Sequence, residues 1–169
     1  MVAATTREVG ILMESTYYWA LTILSGVAAG FVATYAYQWL RDRRTKEIYK
    51  EAFGTEIDDS ITKLKNRKLE LLPHAVWDAA AHSGALGLFC ADQVIALSMV
   101  YSGNSNFNYE AVRTRDLNER FNWTADPALK KQVHLAWGVA EKRAFEVGDS
   151  ALRMLKVVAE KEWFQTKAA

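Results

Sequence analysis

The sequence predicts an all-α protein with one N-terminal transmembrane helix that continues into a stalk, followed by a cytoplasmic antiparallel helical bundle. Three observations predict it. An uncharged apolar segment runs from Ser15 to Leu40, only two prolines interrupt the 169 residues, and apolar residues recur at helical spacing near the C-terminus. The expected domains are a short extracytoplasmic N-terminus (1–15), a transmembrane helix (16–40), a juxtamembrane stalk helix (41–72) and the bundle (73–169).

The composition averaged over the whole chain does not reveal this division into an apolar segment and a more polar domain. A charged fraction of 24%, a net charge of +1 and a mean hydropathy of −0.12 are typical of one soluble domain and exclude a disordered chain or a polytopic membrane protein. The single cysteine excludes an internal disulfide. The near-zero net charge gives no reason to expect a nucleic-acid partner.

The apolar segment matches a bilayer in length and in its flanking residues. From Trp19 to Trp39 it spans roughly 30 Å as a helix, the thickness of the hydrocarbon core. Aromatic side chains stand at both ends, as in interfacial belts: Tyr17, Tyr18, Trp19, Tyr35, Tyr37 and Trp39. A cleaved signal peptide is a weaker alternative, because the start is slightly acidic and the apolar run is too long. A buried helix of a soluble protein would leave the paired aromatic ends unexplained.

The flanking charges predict the orientation. Four cations follow the span, with Asp42 as the one acid among them: Arg41, Arg43, Arg44 and Lys46. Because short flanks rich in Lys and Arg remain in the cytoplasm, we expect a single-pass protein of the cytoplasmic membrane with its N-terminus outside. The same cations are expected to contact anionic lipid head groups.

A stripe of small residues on the span predicts contact with another transmembrane helix. Gly26 and Gly30 form a GxxxG pattern, which allows close approach of two backbones. The expected association face is Thr22, Gly26, Gly30 and Ala33. The partner would be a second copy or another membrane protein. The alternative is a chance glycine pair in a span rich in Gly and Ala.

The cytoplasmic part is predicted to be helical nearly throughout. The stalk is expected to run from Arg41 to Leu72, with a break at Gly54 where Thr55 could cap a new helix. Pro73 is expected to open a short helix that ends at Gly84, a glycine C-cap. The segment Gly84–Phe89 is then expected to form an apolar turn packed into the bundle.

Two longer helices complete the prediction. The first covers Ala91–Arg115, with a kink or break within Ser102–Asn108, and leads into a polar loop at Asp116–Ala125. The second begins at Asp126-Pro127 and runs to Phe164. Its apolar positions recur with an average step of about 3.6, which is typical of a straight packed helix: Leu129, Val133, Ala136, Ala140, Ala144, Val147, Ala151, Leu155 and Val158.

Residues that could carry chemistry are few. His74, His82 and Cys90 could be read as zinc ligands, but they lack the close pair that structural zinc sites contain. We expect Cys90 to be a small buried residue in an apolar run. No Walker loop, nucleophile elbow or dinucleotide fingerprint is present. We therefore expect no cofactor, no metal and no enzymatic activity.

The order of features resembles that of uncharacterised prokaryotic single-pass membrane proteins with a cytoplasmic helical domain. The residues that carry the resemblance are Glu56-Ile57, Leu71-Leu72-Pro73, Trp77, Ser83–Leu86, and Leu97–Tyr101 with Asn104. The resemblance implies an architecture and carries no catalytic residue with it.

These observations predict a non-enzymatic, membrane-anchored interaction protein, a scaffold or a small accessory subunit of a membrane assembly. The alternative is a membrane-tethered regulatory or defence-type effector whose cytoplasmic domain senses a ligand. Such an effector would need a polar cavity, for which the candidates are Trp77, Tyr101, Asn104 and Asn108.

Overall fold

A computed structural model describes the backbone of residues 2–161 and the side chains of residues 17–161. Four helices occupy most of this part: α1 (Val2–Lys65), α2 (Ala75–Ser83), α3 (Ala91–Trp123) and α4 (Pro127–Ala159), with a 3-10 helix, Ala85–Leu88, after α2. The described residues contain no strand, so the all-α class is confirmed. The chain divides into two units, one ending at Arg44 and one beginning at Thr45, and α1 contributes to both.

The break expected at Gly54 does not occur, and α1 continues through this residue. Its neighbours on the helix, Phe53 and Ile57, are both buried. The Thr55 hydroxyl donates to the Glu51 carbonyl at 3.1 Å instead of capping a new helix. Burial of the apolar residues on either side thus outweighs the modest helical cost of one glycine.

The end of α1 lies at Lys65, seven positions before the predicted end at Leu72. Arg67 adopts a left-handed conformation with φ of 50°, which reverses the chain direction. The Lys68 amide donates to the Lys63 carbonyl, so a carbonyl of the last turn is satisfied. Residues 66–74 therefore form an irregular connection rather than the last turns of a stalk.

The short helix α2 begins at Ala75, so Pro73 lies outside it and His74 takes the N-cap position. At its other end Gly84 has φ of 74°, a left-handed conformation that glycine adopts without strain. The predicted glycine C-cap is confirmed. The following turn is a 3-10 helix, and its Ala85 and the adjacent Phe89 are buried.

Cys90 is exposed, so the prediction of a buried residue is wrong. It is the N-cap of α3, and its amide donates to the Gln93 side chain at 3.1 Å. This reciprocal arrangement is a capping box. The thiol stands at the start of α3 and is exposed, whereas Phe89, the residue before it, is buried.

Helix α3 passes without interruption through Ser102–Asn108, where a kink was expected. Asn104 and Phe107 are each 1% exposed. Asn104 and Asn108 also bond to other parts of the chain. Tertiary contacts therefore override the weak helical propensity of this asparagine-rich stretch.

The polar loop predicted for Asp116–Ala125 is also wrong, because α3 extends to Trp123. The Phe121 ring lies 5.3 Å from the His134 ring and 6.2 Å from the Trp137 ring, both on α4. These contacts across the hairpin stabilise two further turns of α3. Only Thr124–Asp126 remain as a connection.

The start of α4 is confirmed as predicted. The Asp126 carboxylate accepts from the Ala128 amide at 2.8 Å, and Pro127 takes the first helical position. The helix ends at Ala159, and the predicted end at Phe164 lies outside the described residues. Its buried face consists of small and apolar residues, namely Ala140, Ala144, Gly148, Ala151, Leu155 and Val158.

Helices α3 and α4 pack against each other over much of their length. A methyl group added at Gly103 would lie 3.6 Å from the Ala151 Cβ, and one at Gly148 would lie 3.1 Å from the Phe107 ring. Gly103 thus lies beside Ala151, and Phe107, later on α3, lies beside Gly148, earlier on α4. The two helices are therefore antiparallel. Buried residues of α1, α2, α3 and α4 join in one apolar cluster, which includes Phe53, Ile57, Ala80, Leu97, Phe107 and Leu155.

Gly148 should not tolerate a side chain. A Cβ there would meet Phe107 at 3.1 Å and Leu64 at 3.2 Å, whereas one at Gly138 would meet nothing within 4 Å. We expect Gly148→Ala to lower the free energy of unfolding by about 1 kcal/mol through overpacking, and Gly138→Ala to raise it by about 0.5–1 kcal/mol. Denaturant unfolding of the detergent-solubilised chain measures both. Equal stabilisation by the two variants would contradict the close packing of α4.

Candidate functional site

The apolar segment of α1 exposes almost every side chain it carries. Among the described residues, α1 from Tyr17 onward is long and apolar enough to cross a membrane. Its most apolar 18-residue window has a mean hydropathy of 1.5, and none of that window is buried. The helix of a soluble core with this composition would be mostly covered by protein. This segment therefore presents a continuous apolar surface without a partner in the described part of the chain.

The aromatic residues predicted for the two membrane interfaces are all exposed. Their exposed fractions run from 52% at Trp39 to 74% at Tyr35, with Tyr17, Tyr18, Trp19 and Tyr37 between these values. The Arg43 guanidinium lies 5.5 Å from the centre of the Trp39 ring. An aromatic ring beneath a cation suits a boundary between apolar and polar surroundings.

The cations after the span do not all have the same surroundings. Arg41, Arg43 and Arg44 are exposed, and Arg41 approaches Asp42 at 3.6 Å. Lys46 belongs to the second unit and is half-buried. Its ammonium lies 5.5 Å from the centre of the Phe89 ring. The exposed cationic group is therefore the three arginines, and Lys46 also stabilises the packing of the second unit.

The small-residue face is open. A methyl group added at Gly26 or at Gly30 would meet no atom within 4 Å. The Thr22 hydroxyl donates to the Tyr18 carbonyl, and the Thr34 hydroxyl donates to the Gly30 carbonyl, each at 2.8 Å. These hydroxyls are satisfied within their own helix, as a low-polarity environment requires. The face formed by Thr22, Gly26, Gly30 and Ala33 can thus receive another backbone closely.

A second group of polar residues joins α1, α2 and α3 inside the second unit. Glu56 of α1 accepts from the Val76 amide at 2.9 Å and from the Tyr101 hydroxyl at 2.6 Å. Val76 lies in the first turn of α2, whose N-cap His74 makes no side-chain cap bond. The Glu56 carboxylate therefore caps α2 from another helix, and its charge suits the helix N-terminus.

Tyr101 is 2% exposed and packs between aromatic rings. Its ring stacks on Trp77 with centres 5.2 Å apart and meets Phe53 at 5.9 Å. Burial raises the pKa of the Tyr101 phenol far above its usual range, and the hydrogen bond to Glu56 raises it further. The folded state therefore holds this proton more tightly than the unfolded chain does.

His74 bridges the start of α2 to α3. Its Nε2 lies 2.9 Å from the Ser105 hydroxyl and 3.2 Å from the Tyr101 carbonyl, and its Nδ1 lies 3.3 Å from the Asp78 carboxylate. The imidazole ring therefore links two residues of α3, Ser105 and Tyr101, to Asp78 of α2.

Two asparagines of α3 bond to α1 and to the connection between α1 and α2. The Asn108 side chain accepts from the Leu72 amide at 2.7 Å and donates to the Leu72 carbonyl at 3.0 Å. Asn104 donates to the Ser60 hydroxyl of α1 at 3.4 Å. Together with Trp77 and Tyr101, these are the residues proposed above as the lining of a ligand cavity. All four side chains contact other groups of the protein, but the buried Oδ1 of Asn104 makes no hydrogen bond within the described residues.

The residues considered as zinc ligands are engaged separately. His74 bonds to α3, His82 contacts the Asp78 carbonyl through Nδ1 at 2.6 Å, and Cys90 caps α3. Within residues 17–161, no group of three or more His, Cys, Asp or Glu side chains is placed to hold a metal ion.

A buried carboxylate between α3 and α4 was missed by the sequence reasoning. The Glu110 side chain is 5% exposed, and its Oε1 accepts from the Arg143 Nε at 2.8 Å. Its Oε2 lies 3.6 Å from an Arg113 nitrogen and makes no hydrogen bond within the described part of the chain. The signal that could have found it is spacing, because Glu110 follows Phe107 by three positions on the buried stripe.

No family model, no curated protein and no solved structure matches this chain.

Tyr101→Phe should destabilise the second unit by about 1.5–3 kcal/mol, because it removes a hydrogen bond to a charged acceptor. Tyr109→Phe, on the exposed side of the same helix, should have little effect. The raised pKa adds a pH dependence. Tyr101 contributes fully to the free energy of unfolding below pH ~10, and its contribution falls above that pH. The difference in unfolding free energy between wild type and Tyr101→Phe should therefore shrink above pH ~10. Equal unfolding free energies of wild type and Tyr101→Phe at neutral pH would contradict the hydrogen bond between Tyr101 and Glu56.

Proposed function

We propose that this chain is a non-enzymatic, membrane-anchored helical interaction protein, a scaffold or a small accessory subunit of a membrane assembly. The observation that carries the proposal is the apolar stretch of α1, none of whose most apolar window is buried. Each large apolar side chain moved from water into an apolar environment stabilises the protein by about 1.5–3 kcal/mol. A bilayer of roughly 30 Å supplies that environment along the whole stretch.

The orientation that the charges favour places the N-terminus outside and the second unit in the cytoplasm. Arg41, Arg43 and Arg44 are exposed immediately after the aromatic group at Trp39. Cations in this position are retained on the cytoplasmic side and contact anionic lipid head groups. In this arrangement the part from Thr45 onward forms an antiparallel helical bundle, for which the α3–α4 pair and the shared apolar cluster are the support.

Association within the membrane is the first interaction of this protein. The open face over Gly26 and Gly30 favours contact with a transmembrane helix of a second copy or of a membrane partner. Van der Waals contact between close backbones drives such association, because lipid tails offer no hydrophobic gain. Lipids and one such helix are therefore the partners of the first unit.

Substitution of Gly26 and Gly30 by larger residues should weaken this association. We expect Gly26→Ile with Gly30→Ile to lower helix–helix association by about tenfold or more, since bulky side chains separate the backbones. Ala28→Ile is the matched control, because position 28 lies roughly on the opposite side of the helix. Co-purification of differently tagged copies, and of native partners, from detergent-solubilised membranes measures the effect. Equal association of the glycine variant and wild type would contradict helix–helix contact through this face.

A further inference from the structure

The α3–α4 pair carries a groove on its outer side. One depression of about 490 Å³ is lined by residues from Gly103 of α3 to Met154 of α4. A second, of about 330 Å³, continues toward Arg120 and Ala136. Tyr109 lines both. From Gly103 to Arg120 the groove follows roughly 26 Å of helix, which is the length of about 17 residues of a docked helix.

Exposed apolar side chains stand along the groove. Tyr109 is 68% exposed, and Met154 is 40% exposed. Val139, 70% exposed, lies three positions after Ala136 and four before Arg143, which both line the groove, so it shares their face. Leu135 and Val157 extend the same side of α4 and are also exposed. Exposed apolar side chains of this kind, with charged residues between them, are typical of a protein contact site.

The charges of the groove are mainly positive. The charged residues that line it are three arginines, Arg113, Arg120 and Arg143, and two acids, Glu110 and Asp116. Glu110 is buried, whereas the side chains of Arg113 and Arg143 are 50% and 62% exposed. Arg113 approaches Glu110 only at 3.6 Å, so its guanidinium keeps donors available for another carboxylate.

We propose that this groove binds an acidic amphipathic helix of a partner protein, which would be the cytoplasmic contact of the interaction protein proposed above and rests on that function. The apolar stripe of such a helix would pack on Tyr109, Val139 and Met154, and its carboxylates would pair with Arg113 and Arg120. With three arginines and only one exposed acid, Asp116, the same face of a second copy is a poorer electrostatic match than an acidic helix.

A photo-crosslinking amino acid at position 139 of the full chain, expressed in its native cells, tests this proposal. We expect one main crosslinked protein, with mass spectrometry placing the crosslink in an amphipathic helical segment of net negative charge. The same amino acid at Ile48, which is 58% exposed on α1, is the positional control and should not give this product. Crosslinks from position 139 to a second copy, to lipid or to no protein would overturn the proposal.

A charge reversal tests the arginine contact in the same experiment. Arg120→Glu should lower the yield of the product by about tenfold or more. Arg115→Glu is the matched control, an exposed arginine of α3 that does not line either depression. Equal yields from the two variants would overturn the charge complementarity.

Fractionation of the same cells distinguishes failure of this proposal from failure of the membrane anchor. A chain found in the soluble fraction that still gives the crosslinked product contradicts the membrane anchor and supports binding in the groove.

Discussion

The uncovered apolar surface of α1 is the constraint on which the rest of this structure depends. Between Trp19 and Trp39 the helix has no acid or base other than tyrosine, and none of its most apolar window is buried. Water is a poor solvent for this surface, and the polar groups on and beside it are arranged accordingly. The hydroxyls of Thr22 and Thr34 bond to their own helix, aromatic rings stand at both ends, and cations begin at Arg41.

In the second unit, several polar side chains instead bond to groups of other helices. Glu56 caps α2 from α1, His74 bridges to α3, and Asn108 holds both backbone groups of Leu72. Helix α2 and the irregular connection before it contribute few buried apolar side chains, so these bonds determine where they lie. Within the described residues, the depressions along α3 and α4 are open, and they form the surface that we propose for a partner helix.

The sequence predicted those features whose cause is local. Gly84 and the pair Asp126-Pro127 end and begin helices through their own backbone chemistry, and both predictions are confirmed. The predicted interruptions at Gly54 and within Ser102–Asn108 are wrong, because burial of the side chains at and beside these positions against other helices outweighs local propensity. The contact of Glu56 with Tyr101 joins residues 45 positions apart, a pairing that no helical spacing indicates. The exposure of Cys90 likewise depends on how the preceding turn packs.

The most direct measurement uses the single cysteine, which is exposed. Intact cells and permeabilised cells are treated with a membrane-impermeant maleimide, with Cys90→Ser as the blank and Thr6→Cys in that background as the external reporter. We predict that Cys90 is labelled only after permeabilisation, that position 6 is labelled in intact cells, and that the protein stays in the membrane pellet after alkaline extraction. Labelling of Cys90 in intact cells, protection of position 6 until permeabilisation, or release of the chain into the alkaline supernatant would contradict it.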